Sequence, residues 1–276
     1  MKTSLTLALM VFTVLGGAAR AEALLPLAAH RAAYEISLAG TDVHQPANGE
    51  TPVAASGLIA YEFRGSACEG YASNFRQVTQ LQRIEGDPYS SDISSVTFED
   101  GDGKGLKFEI EGHNSANDEA PISGSAARLE GGATAVELMK PAKSKVVLGH
   151  DILFPTQHIE HIIAKAKDGG GPLEAKVYDG SDTGQKVFQT LAIIGHEASG
   201  PSPDADAALD LAKVRRWPVT VSYFNQADRD GPPEYVLTFD LYENGVSGSL
   251  KLDYGGFALN AKLSKLEWLK SAPCGK

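Results

Sequence analysis

Side chains that bind metals gather around one predicted helix, where His150, His158, Glu160 and His161 occur close together. Histidines at positions i and i+3 of a helix lie on the same face and can share a zinc ion. A catalytic zinc site also needs a third ligand and a base, and the H-E-x-x-H spacing is absent because His158 and His161 are one residue too close. Capping or surface roles account for these side chains, so we expect no metal site and no cofactor.

Residues 100–105 imitate a calcium-binding loop. Acids stand at the first and third positions, Gly105 at the sixth and Glu111 at the twelfth. The fifth position is Lys104, a cation where an oxygen ligand is needed, and the flanking patterns are strands where an EF-hand has helices. A glycine-rich hairpin turn is the better interpretation.

Motifs of nucleophilic and acid–base catalysis are incomplete in this chain. Asp182-Thr183-Gly184 resembles half of an aspartic protease dyad, but the shared proton of that mechanism needs a second such triplet. The G-x-S-x-G elbow and the glycine-rich phosphate loops are missing. A catalytic triad can be scattered along a chain, so a hydrolase stays as the alternative to a non-enzymatic role.

Two arginines beside a tryptophan, Arg215, Arg216 and Trp217, are a candidate contact for an anionic group or a lipid head group. Core packing at the start of a strand is the simpler role for Trp217. Trp268, two positions beyond Leu266 at strand spacing, is expected to pack in the same way.

The chain has only two cysteines, Cys68 and Cys274. In an oxidising compartment such a pair is expected to form a disulfide, and closing so long a loop would stabilise the fold by about 5 kcal/mol at most. Two separate buried thiols are the other possibility.

Residues 1–21 have the pattern of a secretory signal peptide, because Lys2 precedes an apolar run at 5–15 and an A-x-A cleavage motif ends at Ala21. The run is too short for an anchoring helix, which needs about 20 apolar residues, and no later stretch approaches that length. We therefore expect export and a soluble mature chain of residues 22–276.

The net charge of the chain is −10, and loss of Lys2 and Arg20 with the signal peptide would make it two units more negative. Nucleic acids and anionic membranes attract clusters of lysine and arginine. The acidic balance therefore argues against both as main partners.

Alternating apolar and polar residues predict β-strands along most of the chain, for example at 32–38, 59–63 and 106–110. Near the end, alternating segments separated by Asn244-Gly245 and Gly255-Gly256 predict a three-stranded antiparallel meander. Strands with one apolar face must close on themselves or present a groove, which could hold an apolar ligand or a partner segment.

Helix is scarce in the sequence pattern. One helix is predicted after Pro155, with Thr156 as its N-cap, and a weaker helical stretch runs over 204–213. Neither interrupts the strand pattern, so we expect residues 22–276 to form a single, mainly β domain.

Five short segments are spread over nearly the whole mature chain: HRAAY (30–34), FPTQH (154–158), YDGSD (178–182), WPV (217–219) and ENGV (243–246). In their order and spacing, these segments and the two cysteines together resemble the EipB-like family of α-proteobacterial cell-envelope integrity proteins.

This resemblance implies a monomer in which an antiparallel sheet of many strands curls into an open spiral or partial barrel, with a disulfide between Cys68 and Cys274. It also implies resistance to envelope stress and a periplasmic partner with tetratricopeptide repeats, and it supplies no catalytic residues. We therefore expect a non-enzymatic periplasmic protein that supports envelope integrity by binding an apolar ligand, such as a lipid, or a protein partner on the curved sheet. A hydrolase of envelope lipid or peptidoglycan is the alternative.

Overall fold

The computed structural model describes residues 27–39, 52–84, 86–116, 119–201, 203–204, 209–226 and 231–270. The expected signal peptide, residues 1–21, and Cys274 lie outside these ranges. No helix within the described ranges is long and apolar enough to cross a membrane.

The described residues form fifteen strands in one sheet. The first eight are β1 (His30–Leu38), β2 (Pro52–Ser66), β3 (Gly70–Arg83), β4 (Tyr89–Glu99), β5 (Gly105–Asn114), β6 (Ile122–Arg128), β7 (Ala133–Lys140) and β8 (Ser144–His150). The next seven are β9 (Ile152–Leu153), β10 (Gly171–Val177), β11 (Phe188–Ile194), β12 (Arg216–Asn225), β13 (Tyr235–Tyr242), β14 (Ser247–Asp253) and β15 (Ala258–Trp268). The helices are α1 (Pro155–Lys167) and a short 3-10 helix (Leu209–Lys213).

The strand order is β8-β7-β6-β5-β4-β3-β2-β1-β15-β14-β13-β12-β11-β10-β9, so β1 and β15, the first and last strands among the described residues, pair in the middle of the sheet. Every pairing is antiparallel except the short one between β9 and β10. The edge strands β8 and β9 follow each other in the chain, and the sheet curls into a nearly closed barrel with an unsealed seam between them. The predicted mainly β fold, an antiparallel sheet curled into a partial barrel, is confirmed.

Side-chain packing brings the two edges of the sheet together where strand pairing does not. Tyr178, directly after β10, is fully buried in a cluster with Phe108 of β5 and Leu138 of β7. The rings of Phe108 and Tyr178 meet edge to face at 5.9 Å. Gly180 has a φ of +81° and lies so close to Phe108 that an added Cβ would stand 2.5 Å from its ring. The loop after β10 is therefore fitted against the opposite half of the sheet.

Alternation along the strands directs one face of the sheet inward. In β1, Tyr34 and Ile36 are buried while Arg31 and Glu35 are exposed. The predicted meander is also confirmed, because Gly245 adopts a φ of +86° between β13 and β14, and β14 then pairs with β15.

Helix α1 lies against the inner face of the sheet. Its Ile162 and Ile163 are fully buried in a cluster that includes Phe63 of β2 and Trp217 of β12. Residues from both halves of the sheet therefore meet on this helix, which fills one part of the interior.

The predicted start of the helix is wrong in one respect. The helix begins at Pro155, its N-cap is Phe154, and Thr156 lies within the first turn. Both the amide and the hydroxyl of Thr156 donate hydrogen bonds to Glu99 of β4. The sequence could not reveal this role for Thr156, because its partner is far away in the chain.

Candidate functional site

The interior of the curled sheet contains a cavity of about 530 Å³. Sites for small molecules usually have volumes of about 300–1,000 Å³ and mostly apolar walls. Aromatic and aliphatic side chains make up most of this wall: Tyr34, Ile59, Tyr61, Phe75, Phe188, Tyr235, Leu237, Leu250, Leu252 and Tyr254. The cavity therefore has the size and lining of a site for an apolar molecule.

The strand register explains why these side chains meet. Tyr61 of β2 is the cross-strand partner of Phe75 of β3, and Ile59 is the partner of Gln77. Residues two apart in a strand point to the same face, so all four face the interior together. The alternating pattern at 59–63 is thus the sequence signal of the cavity wall.

His30 lies at the end of the cavity where β1 begins. Its Nδ1 is 2.7 Å from the carbonyl oxygen of Ala28, which can only accept a hydrogen bond, so Nδ1 carries the proton and Nε2 is an acceptor. Burial lowers the pKa of His30, against the opposing effect of this hydrogen bond. The imidazole is therefore neutral at pH 7, and the inner end of the cavity is uncharged.

The opposite end of the cavity opens to solvent. Tyr254 is 39% exposed, and Asp179, Ser181 and Tyr235 are half-buried, whereas Tyr34 is 4% exposed. This gradient of exposure along the wall places the mouth beside the loop that follows β10.

The tyrosine side chains add uncharged hydroxyl groups to the otherwise apolar cavity wall. The hydroxyl of Tyr34 donates to the carbonyl oxygen of Ser247 at 2.7 Å. Burial raises the pKa of Tyr34, Tyr61 and Tyr235 above that of a free phenol. All three hydroxyls are therefore protonated at physiological pH.

The histidines of the possible zinc site do not form one. His158 is buried, with Nε2 3.3 Å from the hydroxyl of Thr190, and burial lowers its pKa to about 4. His161, about one turn further along α1, is exposed. Among the described residues, no three histidine, cysteine or carboxylate side chains are close enough together to hold a metal ion.

Residues 100–104 form the turn between β4 and β5, and Gly105 begins β5, which confirms the hairpin interpretation. The amide of Gly103 donates to the carbonyl of Asp100 at 2.8 Å, and Lys104 pairs with Asp102 at 2.7 Å. Asp182 of the incomplete protease motif pairs with Lys186 at 2.7 Å.

The two tryptophans have different environments. Trp217 is 1% exposed, which confirms its place in the core, and the guanidinium of Arg215 lies 4.9 Å from its ring centroid. Arg216 pairs with Asp240 and donates hydrogen bonds to the carbonyl oxygens of Gly200 and Pro201. The prediction that Trp268 packs in the core is wrong, because this residue ends β15 at the rim of the sheet and is 38% exposed.

Cys68 lies in the turn between β2 and β3. The other cysteine, Cys274, is outside the described residues, so the disulfide stays a prediction.

A curled sheet of many antiparallel strands with an inner helix and an apolar cavity defines a class of barrel-like β-proteins with a built-in pocket. Within this class, the chain belongs to the EipB-like family, whose family model matches residues 21–270. It is similar to the cell envelope integrity protein EipB of Brucella abortus (strain 2308), with 36% identity over 252 residues that cover 91% of this chain and 88% of that protein.

This chain is also similar to a protein of known structure. The crystal structure of a beta-barrel-like protein of a domain of unknown function from Brucella abortus matches with a TM-score of 0.80 and 33% identity, covering 89% of this chain and 100% of that chain. The resemblance noted in five short sequence segments is therefore confirmed at the level of the family.

Proposed function

We propose that this protein is a non-enzymatic periplasmic factor that supports cell-envelope integrity by binding an apolar ligand in its interior cavity. The envelope role is supported by the name of the Brucella abortus relative, and the pocket role by the cavity of about 530 Å³. The cavity is the observation on which the ligand proposal depends.

The cavity suits a single alkyl or acyl chain, because its wall is mostly apolar and burying the chain there is favourable. Each methylene group removed from water contributes about 0.8 kcal/mol, so about ten buried methylenes supply a gross gain of about 8 kcal/mol. That gain corresponds to micromolar affinity before the cost of immobilising the chain. The polar groups on the wall are protonated tyrosines, a neutral histidine, the uncharged side chains of Gln77, Ser181 and Ser247, and Asp179, which leaves most of the surface apolar.

The experiment is native mass spectrometry of protein purified from periplasm without detergent, followed by delipidation and titration with 1-monododecanoyl glycerol. We expect a co-purified apolar molecule and one-to-one binding of the probe. A protein that is recovered empty and does not bind the probe would refute the ligand proposal.

A matched pair of variants shows where the probe binds. Leu237→Trp adds an indole to the cavity wall and is expected to weaken binding at least about tenfold by filling the space. Leu58→Trp makes the same change on the outer face of β2, where Leu58 is 47% exposed. Equal loss of binding in both variants would speak against the interior site.

A periplasmic partner with tetratricopeptide repeats is part of the same proposal. Val96, Phe98 and Met139 are exposed on the outer face and line a shallow groove there, and exposed apolar patches of this kind often contact other proteins. Co-purification from crosslinked envelopes tests this part. Turnover of an envelope substrate that a single Asp, His or Ser substitution abolishes would instead favour the hydrolase alternative.

A further inference from the structure

The open end of the cavity carries an acidic side chain. Among the described residues that line the cavity, Asp179 is the only carboxylate. It follows β10 in the chain, next to the point where Val177 pairs with Phe188 of β11. Its Oδ1 accepts a hydrogen bond from the amide of Ser181 at 2.9 Å, which orients the carboxylate within the loop.

Three aromatic rings form a cluster beside this carboxylate. Tyr223 and Tyr235 are stacked with their centroids 4.4 Å apart. Phe188 meets Tyr223 and Tyr235 edge to face, at 5.8 Å and 6.0 Å. Phe188 and Tyr235 line the cavity together with Asp179, so the carboxylate and two of these rings face the same space. Burial, and after it the negative charge of Asp179, raises the pKa of Tyr223.

A cation already contacts the aromatic cluster. The ammonium of Lys186 lies 4.9 Å from the centroid of Phe188, within the range of a cation–π interaction. The same ammonium pairs with Asp182 and Glu234, each at 2.7 Å. Together with Asp179, these acids outnumber the lysine, so the surroundings of the aromatic cluster carry an excess of negative charge.

We propose that the cavity selects an apolar chain that carries a positively charged amine head group, with the amine held between Asp179 and the rings of Phe188 and Tyr235. An anionic head group would lie next to the negatively charged Asp179, at a position partly shielded from water, and would be repelled. Aromatic rings beside a carboxylate are the combination that recognises quaternary ammonium groups. This inference rests on the proposed function and adds the chemistry of the head group to it.

The test compares three probes with the same chain length: dodecyltrimethylammonium, 1-monododecanoyl glycerol and dodecanoate. Each is titrated into the delipidated full-length protein at neutral pH, below its micelle concentration, by isothermal calorimetry. We expect the ammonium probe to bind most tightly and dodecanoate most weakly, with dissociation constants about tenfold apart.

Asp179→Asn is expected to bring the ratio of these two dissociation constants close to one. Glu174→Gln removes one negative charge from an exposed position on β10 outside the cavity wall and is expected to keep the wild-type ratio. An unchanged ratio in Asp179→Asn would overturn the inference.

The other outcomes separate this inference from the function on which it rests. Dodecanoate binding as tightly as the ammonium probe would overturn the head-group selectivity, while binding of the glycerol ester would still support the apolar site. Ammonium binding that Leu237→Trp does not weaken would show adsorption to the acidic surface and would also overturn it. Failure of all three probes to bind would refute both proposals.

Discussion

The carboxylate of Glu99, the last residue of β4, accepts hydrogen bonds from the amide and the hydroxyl of Thr156 in the first turn of α1, at 2.9 Å and 2.7 Å. Glu99 is 3% exposed. An acceptor at the N-terminus of a helix satisfies amides that have no partner within the helix. The pair therefore fastens the inner helix to the sheet whose interior it partly fills.

The ionisation of Glu99 makes stability depend on pH. Burial raises the pKa of Glu99 to about 7, although the hydrogen bonds from Thr156 oppose this shift. Since the folded-state pKa lies above the ordinary value of 4.5, folding favours the protonated carboxyl. Its stabilising contribution is fully present below pH 4.5 and is lost as the pH rises through 7.

We therefore expect Glu99→Gln, which is neutral at every pH, to gain stability relative to the wild type between about pH 5 and pH 8. The measurement is the free energy of unfolding in urea at several pH values. Glu111→Gln on the exposed face of β5 controls for the change of side chain. A difference between Glu99→Gln and wild type that does not vary with pH would contradict the assignment.

Removing the hydroxyl of Thr156 is expected to be costly. Thr156→Val leaves the buried Glu99 with one hydrogen bond donor fewer and should lower the free energy of unfolding by about 1–3 kcal/mol. Thr134→Val is the matched control, because the hydroxyl of Thr134 is buried without a hydrogen bond partner among the described residues. That variant is expected to be neutral or stabilising, and similar losses in both would argue against the role of the Glu99 contact.

Because Gly180 contacts Phe108 across the seam, we expect alanine to be more destabilising there than at a glycine with free space around it. Gly180→Ala should destabilise the protein by about 1–3 kcal/mol more than Gly131→Ala. Both positions have a positive φ, but a Cβ at Gly180 would meet the ring of Phe108, whereas nothing lies within 4 Å at Gly131. Thermal unfolding of the two variants isolates the contact across the seam, and equal melting temperatures would show that the contact contributes nothing.

The expected disulfide can be tested by chemistry alone. If Cys68 and Cys274 are joined, intact-mass measurement of the unreduced, unfolded protein should show no alkylation, and Cys274→Ser should expose one reactive thiol and lower the melting temperature. Two alkylated thiols in the unreduced protein, or melting that is unaffected by reductant, would refute the pairing.

Much of the fold was predictable because it follows from local periodicity. Alternation at 32–38 and 59–63 identified strands and their inner faces, and Asn244-Gly245 identified a hairpin. The contacts of Thr156 and Asp179 were not predictable, because they depend on how distant segments meet once the sheet curls. The same strand alternation that places Trp217 in the core also led to the wrong prediction for Trp268, since spacing does not show that a strand has passed the rim of the sheet.

The most direct test of the central claim is a crystal structure of the protein with 1-monododecanoyl glycerol bound. We expect electron density for the alkyl chain inside the sheet, beside Tyr61 and Leu252, with the glycerol group near Asp179. Density for the chain only on the outer face, for example beside Val96 and Met139, with an empty interior would contradict it.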